Sequence, residues 1–376
     1  MKKQVFFLGF LLCLSSIFLK AQTTSSFLFD GQNRSFIVYT PASYNPGTPA
    51  PLVFVLHGLT QTGQAIMNVS NFNAVADTAG FILVYPDGIG NAWNINANIP
   101  GASTANDIGF IEALIDTISA NYSIDQNKIY SCGFSAGGFM SHMLACKSSR
   151  CFAAIASVAG TMTDSVYNTC TPAFNLPVLQ IHGTSDNIVN FNGALGNKSA
   201  PDVVDFWKNF NGCNAAPIIT SLPNTSLLDF STVQLLDYSP CTNDNLVQML
   251  KVNGGGHQWP GTSSLLGGLG TINMDINASA EIWKFFRNYS CNTSPQGIPT
   301  STPNWIYLQS LSNNDYLLKG SVNSATVQVF STNGQLIETQ NVSLPFTLNF
   351  SNYQAGMYLI NVRSGNNQNT FKINKR

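Results

Sequence analysis

One serine of the chain lies in a sequence that is typical of a nucleophile. Ser135 is the centre of the pentapeptide Gly133-Phe134-Ser135-Ala136-Gly137, which follows the apolar, strand-like run 128–132 and precedes small residues that are able to begin a helix. A serine in such a tight strand-to-helix turn needs a positive φ and leaves no room for side chains two positions away, which accounts for the glycines. An ordinary loop can contain the same pentapeptide, but the flanking strand and helix patterns favour an exposed, activated Ser135.

A serine hydroxyl is a weak nucleophile and needs a histidine base, which an acid must orient. The chain has only four histidines. His257 lies in the glycine-rich loop 252–261, where a histidine has little structural reason to exist, and we predict that it is the base. Asp186 follows the apolar run 177–181 and lies between the serine and the histidine. This order, Ser then Asp then His, is that of α/β-hydrolases, so we predict that Asp186 is the acid.

Other polar residues of the same region have simpler explanations. Asp202 and Asp205 fall on a predicted helix, where a solvent-facing role explains them, and Asp164 precedes the strand that would deliver the acid. His142 lies on the predicted helix after the serine, and His182 lies at the end of a strand. We expect a packed or hydrogen-bonded structural role for both histidines.

The remaining histidine, His57, ends the apolar run 51–56 and is followed by a glycine. Such a run is typical of a buried parallel strand. In α/β-hydrolases the first donor of the oxyanion hole follows a strand of this kind. We therefore expect the backbone N–H groups of Leu59 and Ala136 to hold the negative charge that develops on a substrate oxygen.

These motifs resemble those of the secreted esterase family that groups polyhydroxybutyrate depolymerases with feruloyl and acetylxylan esterases. The resemblance covers roughly residues 35–290, and the loop around the last histidine is its most specific part. The matching stretches, in the family's order, are 56–58 (Leu-His-Gly), 85–88 (Tyr-Pro-Asp-Gly), 106–111 (Asn-Asp-Ile-Gly-Phe-Ile), 133–141, 182–186 (His-Gly-Thr-Ser-Asp) and 254–261 (Gly-Gly-Gly-His-Gln-Trp-Pro-Gly).

The resemblance implies Ser135 as the nucleophile, Asp186 as the acid and His257 as the base. It also implies that the substrate is an ester in an extracellular polymer or in fragments of one. Trp93 and Trp259 fall where such an enzyme could line its substrate cleft, although packing is the commoner role of aromatic side chains.

The N-terminus has the pattern of a secretory signal peptide. Two lysines precede the apolar run 5–18, and a cleavage site lies near Ala21. We assign residues 1–22 to this signal and expect a secreted, extracellular or cell-surface protein. A transmembrane anchor is disfavoured because the run is short. Lipid attachment at Cys13 is disfavoured because both of its neighbours are leucines.

Export permits disulfide bonds. An odd number of cysteines remains after Cys13 has left with the signal peptide, so at least one thiol stays free. The family resemblance implies a bridge between Cys213 and Cys241. Cys132 lies in the strand before Ser135 and is expected to be a buried free thiol. The sequence leaves open how the other four pair, with the neighbours Cys146 and Cys151 bridged to each other or to Cys170 and Cys291.

Composition excludes several classes of function. The net charge is −1 and charged residues make up 9% of the chain, so no basic face for nucleic acid and no acidic surface for cations is expected. The sequence has no Cys and His cluster with metal-ligand spacing and no glycine-rich phosphate loop after a strand. We therefore expect a neutral substrate and chemistry that needs neither cofactor nor metal.

A stretch rich in Pro, Ser and Thr at 292–303 is typical of a linker between domains. Before it, within 23–291, apolar strand-like runs alternate with helical patterns, which predicts an α/β-hydrolase fold with a mostly parallel central sheet. After it, at 304–376, two strand-like runs and the turn 331–334 predict a small β-sandwich.

This tail resembles the C-terminal sorting domain that directs proteins of the Bacteroidetes phylum to type IX secretion. The matching residues are 327–337, 355–360 and 371–376, whereas the start of the domain, at 308–314, departs from the usual pattern. The resemblance implies the type IX secretion machinery as a partner. A carbohydrate-binding β-sandwich is the alternative, and we rank it second because we expect few of the tail's aromatic residues to be available for a sugar platform.

Three functions fit the sequence. The first is a secreted serine esterase that acts on feruloyl or acetyl esters of plant-wall polysaccharides. The second, with the same mechanism, is a polyhydroxyalkanoate depolymerase, which would also need a polymer-adsorbing surface. The third is a non-catalytic surface-binding protein on a hydrolase scaffold, which would have a broken triad.

Overall fold

The computed structural model describes residues 21–97, 103–263, 269–291, 306–310, 315–320, 322–331, 335–365 and 367–375. The chain divides into two compact units, Met1–Pro295 and Gln296–Arg376, and each is described by itself. The predicted signal peptide, except for its last two residues, and the predicted linker 292–303 lie outside the described residues. No helix in the described ranges is long and apolar enough to cross a membrane.

The first unit is built from alternating strands and helices. Its described strands are β1 (Gln22–Phe29), β2 (Gln32–Tyr39), β3 (Ala50–Leu56), β4 (Ile82–Pro86), β5 (Ile124–Phe134), β6 (Ala154–Val158), β7 (Val178–Gly183), β8 (Ile218–Ser221), β9 (Thr232–Asp237) and β10 (Val247–Asn253). Its described helices are α1 (Gly63–Ser70), α2 (Phe72–Ala79), α3 (Asp107–Asn121), α4 (Ala136–Lys147), α5 (Asp164–Thr169), α6 (Ala200–Phe210) and α7 (Ala278–Phe286).

These strands form one sheet in the order β1-β2-β4-β3-β5-β6-β7-β10-β9-β8. The six strands from β4 to β10 in this order are parallel, and the two strands at each edge are antiparallel. The mostly parallel α/β fold that the sequence predicts is therefore confirmed.

The central strands are apolar on both faces because helices cover both faces. In β3, Leu52 and Phe54 pack into one core with α3, α4 and α6, whereas Val53 and Val55 pack into a second core with α1, α2 and α7. This is the reason that the strand reads as a continuous apolar run and not as an alternating one.

Parallel strands place their carboxyl ends at one edge of the sheet, where ligand sites of α/β folds form. The loops after β3, β5, β7 and β10 leave this edge, and they carry His57, Ser135, Asp186 and His257 respectively. The topology therefore gathers residues that are far apart in the chain.

Three disulfides connect the first unit, and they join Cys146 to Cys170, Cys151 to Cys291 and Cys213 to Cys241. The bridge that the family resemblance implied is among them, and the pairing of Cys146 with Cys151 is not. Cys132 is a buried free thiol, and burial raises its pKa well above the usual value. It is therefore protonated and inert at neutral pH.

The second unit consists of two antiparallel sheets. Its described strands are β11 (Ile306–Ser310), β12 (Asp315–Gly320), β13 (Ser324–Ser331), β14 (Leu336–Ser343), β15 (Phe346–Asn349), β16 (Gly356–Ser364) and β17 (Asn367–Lys375). The sheet orders are β11-β12-β15 and β14-β13-β16-β17. Leu318 and Leu348 of the first sheet share one core with Val327 and Ile360 of the second, which makes the unit a small sandwich.

A shortened chain that ends at residue 292 should unfold in urea at the same midpoint as the first unit of the full chain, because that unit is compact by itself. Ending the chain at residue 290 removes Cys291 and its bridge to Cys151, which spans 140 residues. The chain-entropy model then predicts a loss of about 4 to 5 kcal/mol of unfolding free energy. Equal midpoints for the two shortened chains would contradict this role of the bridge.

Candidate active site

Ser135 lies between β5 and α4 with φ 53° and ψ −119°, which is the strained turn that the pentapeptide predicts. Both glycines of the pentapeptide are required by space. A side chain at Gly133 would clash with the backbone of Gly137, and a side chain at Gly137 would clash with the carbonyl of Leu56. The serine is thus presented at the edge of the sheet by a turn that tolerates no bulk.

The loop after β6 supports this turn. The N–H of Ser135 donates to the carbonyl of Val158 at 2.8 Å. Gly160 packs directly on the turn, since a Cβ at this position would lie 2.6 Å from the Ser135 carbonyl oxygen. The tight turn at Ser135, called the elbow below, is therefore fixed by β6 and by the loop that follows β6.

Asp186 follows β7, and its side chain is buried. Its Oδ1 accepts the backbone N–H groups of Ile188 and Val189, each at 2.9 Å. Its Oδ2 lies 2.8 Å from Nδ1 of His257 and 3.4 Å from Nε2 of His182. Burial by itself would raise the pKa of the carboxyl, but the hydrogen bonds from the two histidines hold that pKa well below its usual range. Asp186 is therefore ionised at neutral pH.

His257 lies in the loop after β10, and a segment that follows in the chain holds this loop in place. The backbone N–H of His257 donates to the carbonyl of Leu269 at 2.7 Å. The imidazole ring packs on Phe134, with the ring centroids 4.9 Å apart. Because Phe134 immediately precedes Ser135, this contact brings the imidazole beside the elbow.

The bond to Asp186 assigns the proton of the neutral His257 ring to Nδ1, so Nε2 carries the lone pair that a base needs. In the described part of the chain, neither Ser135 Oγ nor His257 Nε2 has a hydrogen-bond partner. Among the described residues, neither atom is therefore occupied by another protein group, and the structure forms no hydrogen bond between the two.

The loop after β3 carries Leu59, and α4 begins with Ala136, the two residues whose N–H groups are predicted to hold the oxyanion. Among the described residues, neither the N–H of Leu59 nor that of Ala136 donates to a protein acceptor. Gly137 packs against the carbonyls of Leu56 and His57, so this loop lies against the first turn of α4. This packing brings the loop of Leu59 against the segment that begins with Ala136.

The His57 side chain holds this loop in place through two hydrogen bonds. Its Nε2 accepts the N–H of Gly88 at 2.9 Å, so the proton is on Nδ1, which donates to the carbonyl of Gly58 at 2.7 Å. Burial lowers the pKa of His57 and keeps the ring neutral. The loop that carries Leu59 is thus tied to the loop after β4.

Trp93 and Trp259 do not face the cleft as predicted, because both side chains are only 1% exposed. The indole N–H of Trp93 donates to the carbonyl of His57 at 2.9 Å, and the ring packs on the His57 imidazole. The indole N–H of Trp259 donates to Ser279 Oγ at 3.2 Å. Trp93 is therefore packed against the loop that carries His57, and Trp259 connects the loop of His257 to α7.

The sequence did not predict a buried ion pair between Arg34 and Asp107. Arg34 Nη2 lies 2.5 Å from Asp107 Oδ1, and both side chains are buried. Asp107 Oδ2 accepts the N–H of Asn94 at 2.7 Å, so the pair holds the segment that follows Trp93. The run 106–111 is one of the stretches that resemble the family, and in the structure its aspartate is a structural anchor.

Comparison with known proteins gives two family matches. The family model described as esterase PHB depolymerase matches residues 34–206, a range that includes Ser135 and Asp186 but ends before His257. The model described as secretion system C-terminal sorting domain matches residues 310–376. The second match indicates that the protein is secreted.

Individual relatives agree with the first match. The chain is 30% identical to a probable feruloyl esterase C of Aspergillus oryzae over 68% of this chain and 84% of the relative. It is 28% identical to feruloyl esterase B of Piromyces equi over 60% of this chain, but this alignment spans only 42% of the relative. The solved acetyl xylan esterase from Aspergillus awamori shares the fold, with a TM-score of 0.50 at 17% identity over 70% of this chain and 99% of that one. The chain therefore belongs to the esterase family that includes polyhydroxybutyrate depolymerases and feruloyl esterases.

Proposed function

We propose that the protein is a secreted serine esterase that hydrolyses carboxylic esters of plant-wall polysaccharides, such as feruloyl or acetyl esters. One observation carries this proposal above the others. The buried carboxylate of Asp186 lies 2.8 Å from Nδ1 of His257, and the imidazole packs beside the elbow that presents Ser135. This is the arrangement that converts a serine hydroxyl into a nucleophile.

In the proposed reaction, Ser135 Oγ attacks the ester carbonyl carbon and its proton passes to Nε2 of His257. The N–H groups of Leu59 and Ala136 stabilise the resulting oxyanion. The C–O bond to the leaving alcohol then breaks, and His257 returns the proton to that alcohol. Water attacks the acyl-enzyme by the same route and releases the carboxylic acid. Asp186 stabilises the imidazolium throughout and stays ionised.

The substrate class rests on the relatives. The probable feruloyl esterase C and the feruloyl esterase B are named for feruloyl esters. The small share of charged residues in this chain also suits a neutral ester.

A polyhydroxyalkanoate depolymerase is the second candidate, and an apolar surface favours it. Leu227, Leu228 and Phe230 are 72%, 87% and 86% exposed. This surface adjoins the loop that carries His257, since a Cβ at Gly254 in that loop would lie 2.8 Å from the carbonyl oxygen of Phe230. Exposed apolar groups beside a site are suited to adsorb a water-insoluble polyester. The third possibility, a non-catalytic surface-binding protein, is disfavoured because the residues for catalysis are all present.

We expect Ser135→Ala to lower kcat for every accepted ester by roughly 10⁴-fold or more while the fold stays intact, because the nucleophile is lost. The measurement is a panel of methyl ferulate, acetylated xylan and polyhydroxybutyrate film, and the preferred substrate of the wild type decides between the two esterase candidates. Ser165→Ala, which alters an exposed serine on α5, is the control and should keep full activity. A Ser135→Ala variant with near-normal hydrolysis would falsify the assignment.

We further propose that the second unit addresses the enzyme to type IX secretion machinery. In the native host, the chain that ends at residue 292 should accumulate in the periplasm and retain activity on soluble esters. Cell fractionation with an activity assay distinguishes the alternatives. Normal export of the shortened chain would refute the sorting role, and a loss of activity on insoluble polymer alone would indicate a binding module instead.

A further inference from the structure

A continuous path of buried polar side chains leads from α6 to the proposed acid. Its members are Trp207, His142, Gln180, His182 and Asp186, and none of them is more than 2% exposed. The indole N–H of Trp207 lies 3.1 Å from His142 Nδ1, and His142 Nε2 lies 3.2 Å from Gln180 Oε1. Gln180 Nε2 lies 3.2 Å from His182 Nδ1, and His182 Nε2 lies 3.4 Å from Asp186 Oδ2.

Trp207 sets the direction of the hydrogen bond at His142, and the carbonyls of Gly160 and Val189 require the same direction further along the path. An indole N–H can only donate, so Nδ1 of His142 accepts and its proton is on Nε2. Burial lowers the pKa of His142 to about 4, so the ring remains neutral at ordinary pH. His142 then donates to the amide oxygen of Gln180, which turns the amide NH₂ toward His182.

The same logic fixes His182. Its Nδ1 accepts from Gln180, so its proton is on Nε2. That N–H is directed at the carbonyl of Val189, at 2.8 Å, and also faces Asp186. The Gln180 amide and the Val189 carbonyl therefore agree in placing the proton on Nε2, so that a donor, and not a lone pair, faces the carboxylate.

Gln180 also connects to the nucleophile. Its amide nitrogen lies 2.7 Å from the carbonyl oxygen of Gly160. Gly160 is the residue that packs on the Ser135 turn. One buried amide thus bonds both to the loop that supports the serine and to the histidine that contacts the acid.

We propose that Trp207, His142 and Gln180 are positioning residues of the active site, which act by fixing the N–H of His182 on Asp186 and by anchoring the loop of Gly160. The proposal deepens the esterase assignment and rests on it. Three of the four histidines of the chain take no direct part in the proposed reaction, and the proposal assigns a role to two of them.

The path has a consequence for the base. The titratable groups that face Asp186 are His257, from the loop after β10, and His182, from β7. A donor from His182 draws part of the carboxylate charge away from His257. If that donor loses its fixed direction, the charge acts more fully on His257 and stabilises its protonated form. The pKa of His257 should then rise.

The test is Trp207→Phe in the full chain, which removes the N–H and keeps an aromatic ring. We expect the pKa of His257, followed by NMR titration of isotope-labelled histidine, to rise by roughly half a pH unit. The acid limb of kcat/KM on methyl ferulate should move to higher pH by the same amount. Because the chain has four histidines, a single His→Gln variant for each assigns the signals. Trp283→Phe, which alters a tryptophan packed on Phe81 outside the path, is the matched control.

A second pair of variants removes the dependence on Trp207. His182→Leu deletes the donor to Asp186 and should raise the pKa of His257, whereas His182→Gln keeps an amide N–H near Nε2 and should restore the wild-type value. A pKa of His257 that is unchanged or lower in both Trp207→Phe and His182→Leu overturns the proposal. The NMR readout does not need turnover, so this outcome is distinct from a wild type that hydrolyses no ester, which would overturn the proposed function.

Discussion

The ionised carboxylate of Asp186 is the constraint on which the rest of the site depends. A buried carboxylate is costly unless donors surround it. Here the donors come from the turn that follows it, from His182 and from His257. The same bonds that make burial tolerable also fix the tautomer of His257, so stability and reactivity have one origin.

The parallel sheet makes this arrangement possible. The carboxyl ends of β3, β5, β7 and β10 meet at one edge, and buried polar side chains connect neighbouring strands and loops there. His57 ties the loop after β3 to that after β4, and Gln180 ties β7 to the loop after β6. The site is rigid because its polar groups are shared between neighbouring loops, which is what preorganised catalysis requires.

Much of the fold and of the candidate site could be predicted from the sequence, because short-range sequence patterns determine these features. The strained turn of Ser135 requires glycines, and the apolar runs predict the buried strands. The roles of Trp93 and Trp259 were predicted incorrectly, since an aromatic residue near a motif reads the same whether it faces the cleft or packs below it. The path from Trp207 to Asp186 was out of reach, because its members are scattered along the chain and only the fold brings them together.

The most direct test of this account is the rate at which a fluorophosphonate labels Ser135, followed by intact mass and peptide mapping. The account predicts selective labelling of Ser135 that Asp186→Asn slows by roughly 10³- to 10⁴-fold, because the imidazole loses its orienting charge. Asp164→Asn should label at the wild-type rate, since Asp164 pairs with Lys198 at 3.1 Å, away from His257. Wild-type labelling of Asp186→Asn, together with loss of labelling in Asp164→Asn, would contradict the account.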